Sequence, residues 1–167
     1  MFSKLKVGFI TTCLLALAGC AQMTDIPPGT SLTDVEKEFG KPNVTCNGPN
    51  GTTRAVWSEM PEGEMVWATT VDAKNKVGTF TQIMSVKAFS VLSQGTWVSS
   101  QVRCEFGPPA LVHVFPERPD QSVWEYRFLD ESNSYMIMFI YFETATNTVL
   151  RFTPGPDPEF NVLIMGK

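Results

Sequence analysis

Residues Glu38–Pro42 read Glu-Phe-Gly-Lys-Pro and residues Glu105–Pro109 read Glu-Phe-Gly-Pro-Pro, and this recurrence constrains the fold more than any other feature of the chain. A shift of 67 residues also superposes Thr33 on Ser100, Val35 on Val102, Phe39 on Phe106, Gly40 on Gly107, Pro42 on Pro109, Val56 on Val123 and Trp57 on Trp124. Gly29-Thr30 returns as Gly95-Thr96 with one residue inserted, and the later hairpins match after a further shift of about four or five. Internal similarity of this kind means one supersecondary unit used twice.

Each unit opens with a short helix. Thr33 with Glu36 three residues on forms a capping box, Val35 and Phe39 share a face, and Gly40 followed by Pro42 ends the helix. Ser100, Val102, Phe106, Gly107 and Pro109 repeat the pattern without the glutamate. Helices this short are unstable alone and need a flat surface to pack on. Strands over Thr53 to Met60, Glu64 to Asp72 and Lys76 to Met84 supply it in the first unit, and Ser122 to Leu129, Tyr135 to Glu143 and Asn147 to Thr153 in the second. Ser85 to Ser93, with Val86, Phe89 and Leu92 at helical spacing, adds a further helix. The expected fold is α+β: two tandem units, each a helix plus a three-stranded antiparallel meander, with a helix layer on a curved antiparallel sheet.

The first nineteen residues stand apart from this plan. Lys4 and Lys6 precede an apolar run from Val7 to Ala18, too short to span a bilayer that requires about 20 apolar residues, so residues 1–19 read as a secretory signal. Without Lys4 and Lys6 the chain keeps 11 of its 13 basic residues against 17 acidic ones, a net charge of −6 with histidine neutral. Nucleic-acid binding calls for clustered Lys and Arg, so it is not expected. Once Cys13 leaves with the signal, and with Cys20 at its end, Cys46 and Cys104 remain. In an oxidising compartment they either pair as a disulfide, worth about 4 kcal/mol in chain-entropy terms, or stay as two buried thiols.

Leu17-Ala-Gly-Cys20 at the end of the apolar run is similar to a bacterial lipobox. That resemblance implies lipid on Cys20, and Ala21 after the cysteine implies sorting to the outer membrane. Residues 20–28 then form a lipidated tether. The stretch Gly29 to Pro42, followed by a Trp-centred strand and a hairpin, resembles the SmpA/OmlA (BamE-like) domain of outer-membrane lipoproteins. Two such units, 29–84 and 85–153, followed by a tail, 154–167, resemble the fold of β-lactamase inhibitor proteins. The resemblance implies non-catalytic work: binding envelope proteins, with outer-membrane assembly machinery as a candidate partner, and membrane attachment through the N-terminal lipid. The alternative it implies is an inhibitor of a periplasmic hydrolase, with loops at Pro61 to Glu64 and Glu117 to Gln121 as candidate inserts.

The residues carry little that suggests catalysis. His113 is the single histidine, and no Cys-x-x-Cys, His-Glu-x-x-His, Gly-x-Ser-x-Gly or phosphate-cradling glycine loop occurs, so neither a cofactor nor a metal is expected. Asp72 and Glu143 sit at strand ends beside turns and read as solvated caps. The candidate binding surface is aromatic: Trp57, Trp67, Trp124, Tyr126, Tyr135, Phe139 and Tyr141. Along Tyr135 to Phe142 one face carries Tyr135, Ile137, Phe139 and Tyr141 and the other Met136, Met138, Ile140 and Phe142. One face goes under the helices. The other is either an open platform or covered by the tail, where Phe160 and Val162 to Met165 would add a strand.

Overall fold

Val35 and Phe39 give the helix α1 (Leu32–Phe39) one apolar face, and Gly40 stops it with a φ of 77° that residues bearing a side chain resist. The computed structural model describes residues 22–161. Four strands follow α1: β1 (Val44–Asn47), β2 (Thr53–Ser58), β3 (Val66–Val71) and β4 (Thr81–Gln82), paired antiparallel in that order. Next, α2 (Val86–Phe89), prolonged by a 3-10 turn over Ser90–Ser93, leads into α3 (Ser99–Phe106). A second antiparallel sheet takes β5 (Leu111–Phe115), β6 (Arg118–Leu129), β7 (Tyr135–Glu143) and β8 (Thr148–Pro156), again in chain order. The described chain closes with α4 (Pro158–Asn161).

The α+β class therefore holds, with two corrections to its detail. The strands form two separate four-stranded sheets rather than one curved sheet, and each sheet has four strands rather than three. The extra ones, β1 and β5, are short, and β1 carries a single large apolar residue, Val44, so its alternation is faint in the sequence. At the chain's end Pro154, Gly155 and Pro156 belong to β8 and not to a tail.

The helix starts differ from expectation as well. No side-chain cap forms at α1; instead Leu32 N–H donates to the Asn75 carbonyl (3.0 Å), and at α3 Ser99 N–H donates to the Asn147 carbonyl (2.8 Å). Both asparagines take a positive φ in the turn before the last strand of their half. Backbone pairing repeats too: Val77 N–H donates to Thr30 O and Val149 N–H to Trp97 O. Strand register, however, overturns two superpositions made by the 67-residue shift, Val56 on Val123 and Trp57 on Trp124. Val44 pairs with Val56, whereas Leu111 pairs with Glu125, so the second hairpin runs two residues longer. Trp57 is matched by Tyr126 and not by Trp124: Trp57 Nε1 donates to Gly40 O (2.9 Å) and the Tyr126 hydroxyl to Gly107 O (3.0 Å).

The layers follow from which strand faces are apolar. On one face of the first sheet Ala55, Trp57 and Val71 pack with Val35 of α1 and with Phe80. On its other face Val56, Val66 and Ala68 join Phe89 and Leu92, then Val102 and Phe106 of α3, then Tyr126, Phe128, Met138, Ile140 and Phe142 of the second sheet. Both α2 and α3 are thus sandwiched between the sheets. A continuous apolar run, Ala55-Val56-Trp57, is what a strand covered on both sides requires.

Three links bind α3 to the first sheet. Cys46 of β1 and Cys104 of α3 form a disulfide with a Cα–Cα separation of 5.9 Å. Arg54 donates to the Cys104 and Glu105 carbonyls (3.2 and 2.8 Å) and pairs with the Glu105 carboxylate (3.1 Å), meeting the negative end of the helix with a cation. Gly107, φ 80°, lets β2 and β3 approach: a Cβ there would lie 3.2 Å from Val56 Cγ1 and 3.5 Å from Val66 Cγ1.

Gly40→Ala meets no atom within 4 Å and should cost about 2 kcal/mol of backbone strain, while Gly107→Ala should cost a further 1 to 2 kcal/mol, roughly, for the clash with β2 and β3. Urea unfolding of both variants checks the difference, and equal losses would show that the interface yields freely. In the β6–β7 turn the Ser134 and Ser132 N–H groups and the Ser132 hydroxyl bond to Asp130, holding its carboxyl below the usual carboxylate range. A lowered folded-state pKa gives stability that is complete above the ordinary carboxylate pKa and is lost as pH falls through the lowered value. Asp130→Asn should therefore lower the neutral plateau of a stability-against-pH curve and flatten its acid limb, and urea unfolding at a series of pH values reads both changes.

Candidate functional site

Alternation along β6 and β7 gives the second sheet two unlike faces. Trp124, Tyr126 and Phe128 pair with Ile140, Met138 and Met136 and point toward α2 and α3. Val123, Glu125, Arg127 and Leu129 pair with Tyr141, Phe139, Ile137 and Tyr135 and point the other way. Helices α1, α2 and α3 all pack elsewhere, and α4 reaches only the Tyr135 end of this outward face, through Phe160 stacked on Tyr135 at 4.2 Å between ring centroids.

The outward face is aromatic with charges set into it. Phe139 lies across β8 onto Gly155, where a Cβ would come within 3.0 Å of the ring. Tyr141 carries the Arg151 guanidinium 3.5 Å above its ring, a cation–π contact across the β7–β8 pair. Toward the Tyr135 end, Arg127 is held from three sides: its Nε lies 3.3 Å from Asp157 Oδ2, its Nη1 donates to Pro61 O at 3.2 Å, and its Nη2 pairs with Glu159. Asp157 is fully buried and belongs to the start of the turn into α4, so this contact fastens the chain's end over the sheet. His113 Nε2 sits 2.8 Å from Glu125 Oε1 without the alignment of a hydrogen bond.

The aromatic set expected from the sequence is split by this geometry. Tyr135, Phe139 and Tyr141 share the outward face, half-buried. Tyr126 is wholly buried, and burial drives its hydroxyl far above the ordinary phenol range, which keeps it a neutral donor to Gly107 O. Trp124 points inward against Phe142. Trp57 is 4% exposed beneath α1, so Trp57 and Tyr126 are core, Trp124 packs partly buried against it, and none of the three shares a face with Tyr135. Trp67, opposite Trp57 in β3, borders a separate groove of about 590 Å³ that Phe39, Lys41, Asn43 and Glu59 also line.

Other expectations meet the structure as follows. Cys20 lies outside the described residues, as do Val162 to Met165. Phe160 is in a helix rather than an added strand. Glu117 to Gln121 is largely the start of β6 and not a free loop. Sequence reasoning missed the roles of Arg127, Arg151 and Gly155. The alternation of Gln121 to Leu129 does place Glu125 and Arg127 on one side, but the Arg127 partners Asp157, Glu159 and Pro61 lie in other segments of the chain, the last of them 66 residues away, and only the fold brings them together.

Among the described residues no group of three His, Cys, Asp or Glu side chains is placed to hold a metal ion, and no helix is long and apolar enough to cross a membrane. Comparison with protein-family models, with curated proteins and with solved structures returns no match.

Removing Arg127 takes a cation away from the buried Asp157 carboxylate. Arg127→Ala should cost about 3 kcal/mol, and Arg127→Ala with Asp157→Asn should recover at least about half of that loss. Denaturant unfolding of the two single variants and the double variant reads the coupling directly.

Proposed function

We propose that this chain is a non-catalytic, lipid-anchored envelope protein, held in the outer membrane through Cys20 and facing the periplasm, that acts as a scaffold or assembly accessory by binding other envelope proteins. The observation that carries the reading is the outward face of the second sheet. Three aromatic rings, Tyr135, Phe139 and Tyr141, stand there beside fixed charges, with a helix over one end alone. Rigid aromatics with a cation stacked on one of them are the residue types that anchor protein interfaces.

The twice-used element order, helix then antiparallel meander, supports the tandem-module part of the reading. The recurring bonds accepted by the Asn75 and Asn147 carbonyls, and those donated by Trp57 and Tyr126, are what a duplicated unit would retain. The likeness of the Gly29 to Pro42 stretch to the SmpA/OmlA (BamE-like) pattern and of Leu17 to Cys20 to a lipobox supports placement at the outer membrane. The inhibitor reading has less behind it. Of its two candidate loops, Glu117 to Gln121 is mostly strand and the Pro61 carbonyl is engaged by Arg127.

Cys20→Ser should move the protein from the membrane to the soluble envelope fraction, and continued membrane association would sink the lipid-anchor reading. A photo-crosslinking residue at Phe139 or Tyr141 in the native envelope should capture an assembly or structural protein, while the same residue at the exposed turn position Glu131 should not. Capture of a hydrolase at Pro61 or Glu62 instead would favour the inhibitor.

A further inference from the structure

We infer that β5 is a self-pairing edge, through which two copies of this chain join their second sheets into one continuous antiparallel sheet. This goes beyond the proposed scaffold role and depends neither on the lipid nor on the outward aromatic face.

An edge strand bonded to a neighbour on one side presents the N–H and C=O groups of alternate residues on the other, and natural sheets blunt such edges with charge, proline, glycine or brevity. Three of the four edges here are blunted. β4 has two residues, β1 is short and held through Cys46, and β8 carries Arg151 and the prolines 154 and 156, which have no N–H to offer. β5 is left open. Leu-Val-His-Val-Phe contains no Lys, Arg, Asp, Glu, Pro or Gly, and its β-branched and aromatic residues favour a strand. Leu111, Val112, Val114 and Phe115, exposed by 46, 54, 63 and 45%, are four of the six large apolar side chains that stand exposed among the described residues.

The pattern of the strand selects its occupant. Leu-Val-His-Val-Phe is a palindrome in kind: large apolar, valine, histidine, valine, large apolar. A two-fold axis through His113 would set Val112 against Val114 of the second copy on the helix side, and Leu111 against Phe115 of the second copy on the other. An isologous interface requires that self-complementarity, and an unrelated strand does not. Pro109 on one side and Pro116 on the other bound the pairing at nearly equal distances from His113, and the bulge at Val114 and Phe115 keeps it short. No carboxylate or guanidinium lies on the strand itself, and the Glu125 contact to His113 comes from β6 of the same copy. Five residue pairs form a small interface, so the expected affinity is modest, about 10 µM.

Sedimentation of the full-length chain, purified from membranes in mild detergent, should show two copies per particle at about 100 µM and dissociation on dilution. A single copy at that concentration overturns the inference. Val114→Lys places a charge on the edge at a position already more than half exposed, and should weaken association at least about tenfold with little change in thermal unfolding. A Val114→Lys protein that remains equally dimeric also overturns it. His113→Cys, on the axis, should give a covalent dimer on mild oxidation, while Leu150→Cys on β8 and the unsubstituted chain should not; this stays decisive should the lysine variant fold poorly. Crosslinking from Leu150→Cys as efficient as from His113→Cys, or capture at β5 of a strand from another protein by a monomeric chain, counts against the second copy.

Discussion

Helix α3 is the part on which the two sheets jointly depend. It presents Val102 and Phe106 to a core built from both sheets, and its last turn is bound to the first sheet by Cys46, by Arg54 and by the close approach that Gly107 permits. An eight-residue helix has little stability of its own, so these contacts hold it rather than its propensity. The Arg54 guanidinium sits where the unpaired helix carbonyls and the dipole are most negative, and the disulfide closes a long loop of the unfolded chain. Lose α3 and the inner faces of both sheets would stand in water.

Because α2 and α3 are shared, the two sheets end up differently covered. The first has α1 on one face and α3 on the other, which is why its central strands bury successive residues. The second has α2 and α3 on one face and only α4 at one end of the other, where aromatic rings are balanced against fixed charges. Arg127 shows how that balance is kept: buried to a large degree, it is tied to Asp157, Glu159 and the Pro61 carbonyl, and in turn fastens the Met60-Pro61 turn and the chain's end to β6. The face is thereby stiff without a covering layer. A stiff, partly apolar face loses little conformational entropy when a partner settles on it.

Much of this was legible beforehand. The Phe-Gly signals marked both helix ends to the residue, since a glycine at positive φ after an apolar helix face has few other uses. The alternation of Tyr135 to Phe142 divided β7 correctly into two faces, and Ser85 to Ser93 was rightly read as helical. The strands β1 and β5 were not legible as part of the meanders, because the four residues of β1 are mostly polar and the five of β5 mostly apolar, and neither stretch carries an alternating period. The equivalence of Trp57 with Tyr126 was hidden for a different reason. A shift of two residues in a longer hairpin leaves side chains on the same faces, so the misleading match of Trp57 to Trp124 violated no pattern, and only the hydrogen bonds to Gly40 and Gly107 distinguish the two.

By itself, the sequence determined the α+β class, the glycine ends of the two short helices, the antiparallel hairpins and the apolar faces, because these depend on neighbours within a few residues. It left open whether Cys46 and Cys104 pair, whether the strands make one sheet or two, which aromatics reach the surface, and which edge remains unguarded. Only the tertiary structure decided these, since each depends on contacts between segments tens of residues apart, whose encounter no local period encodes.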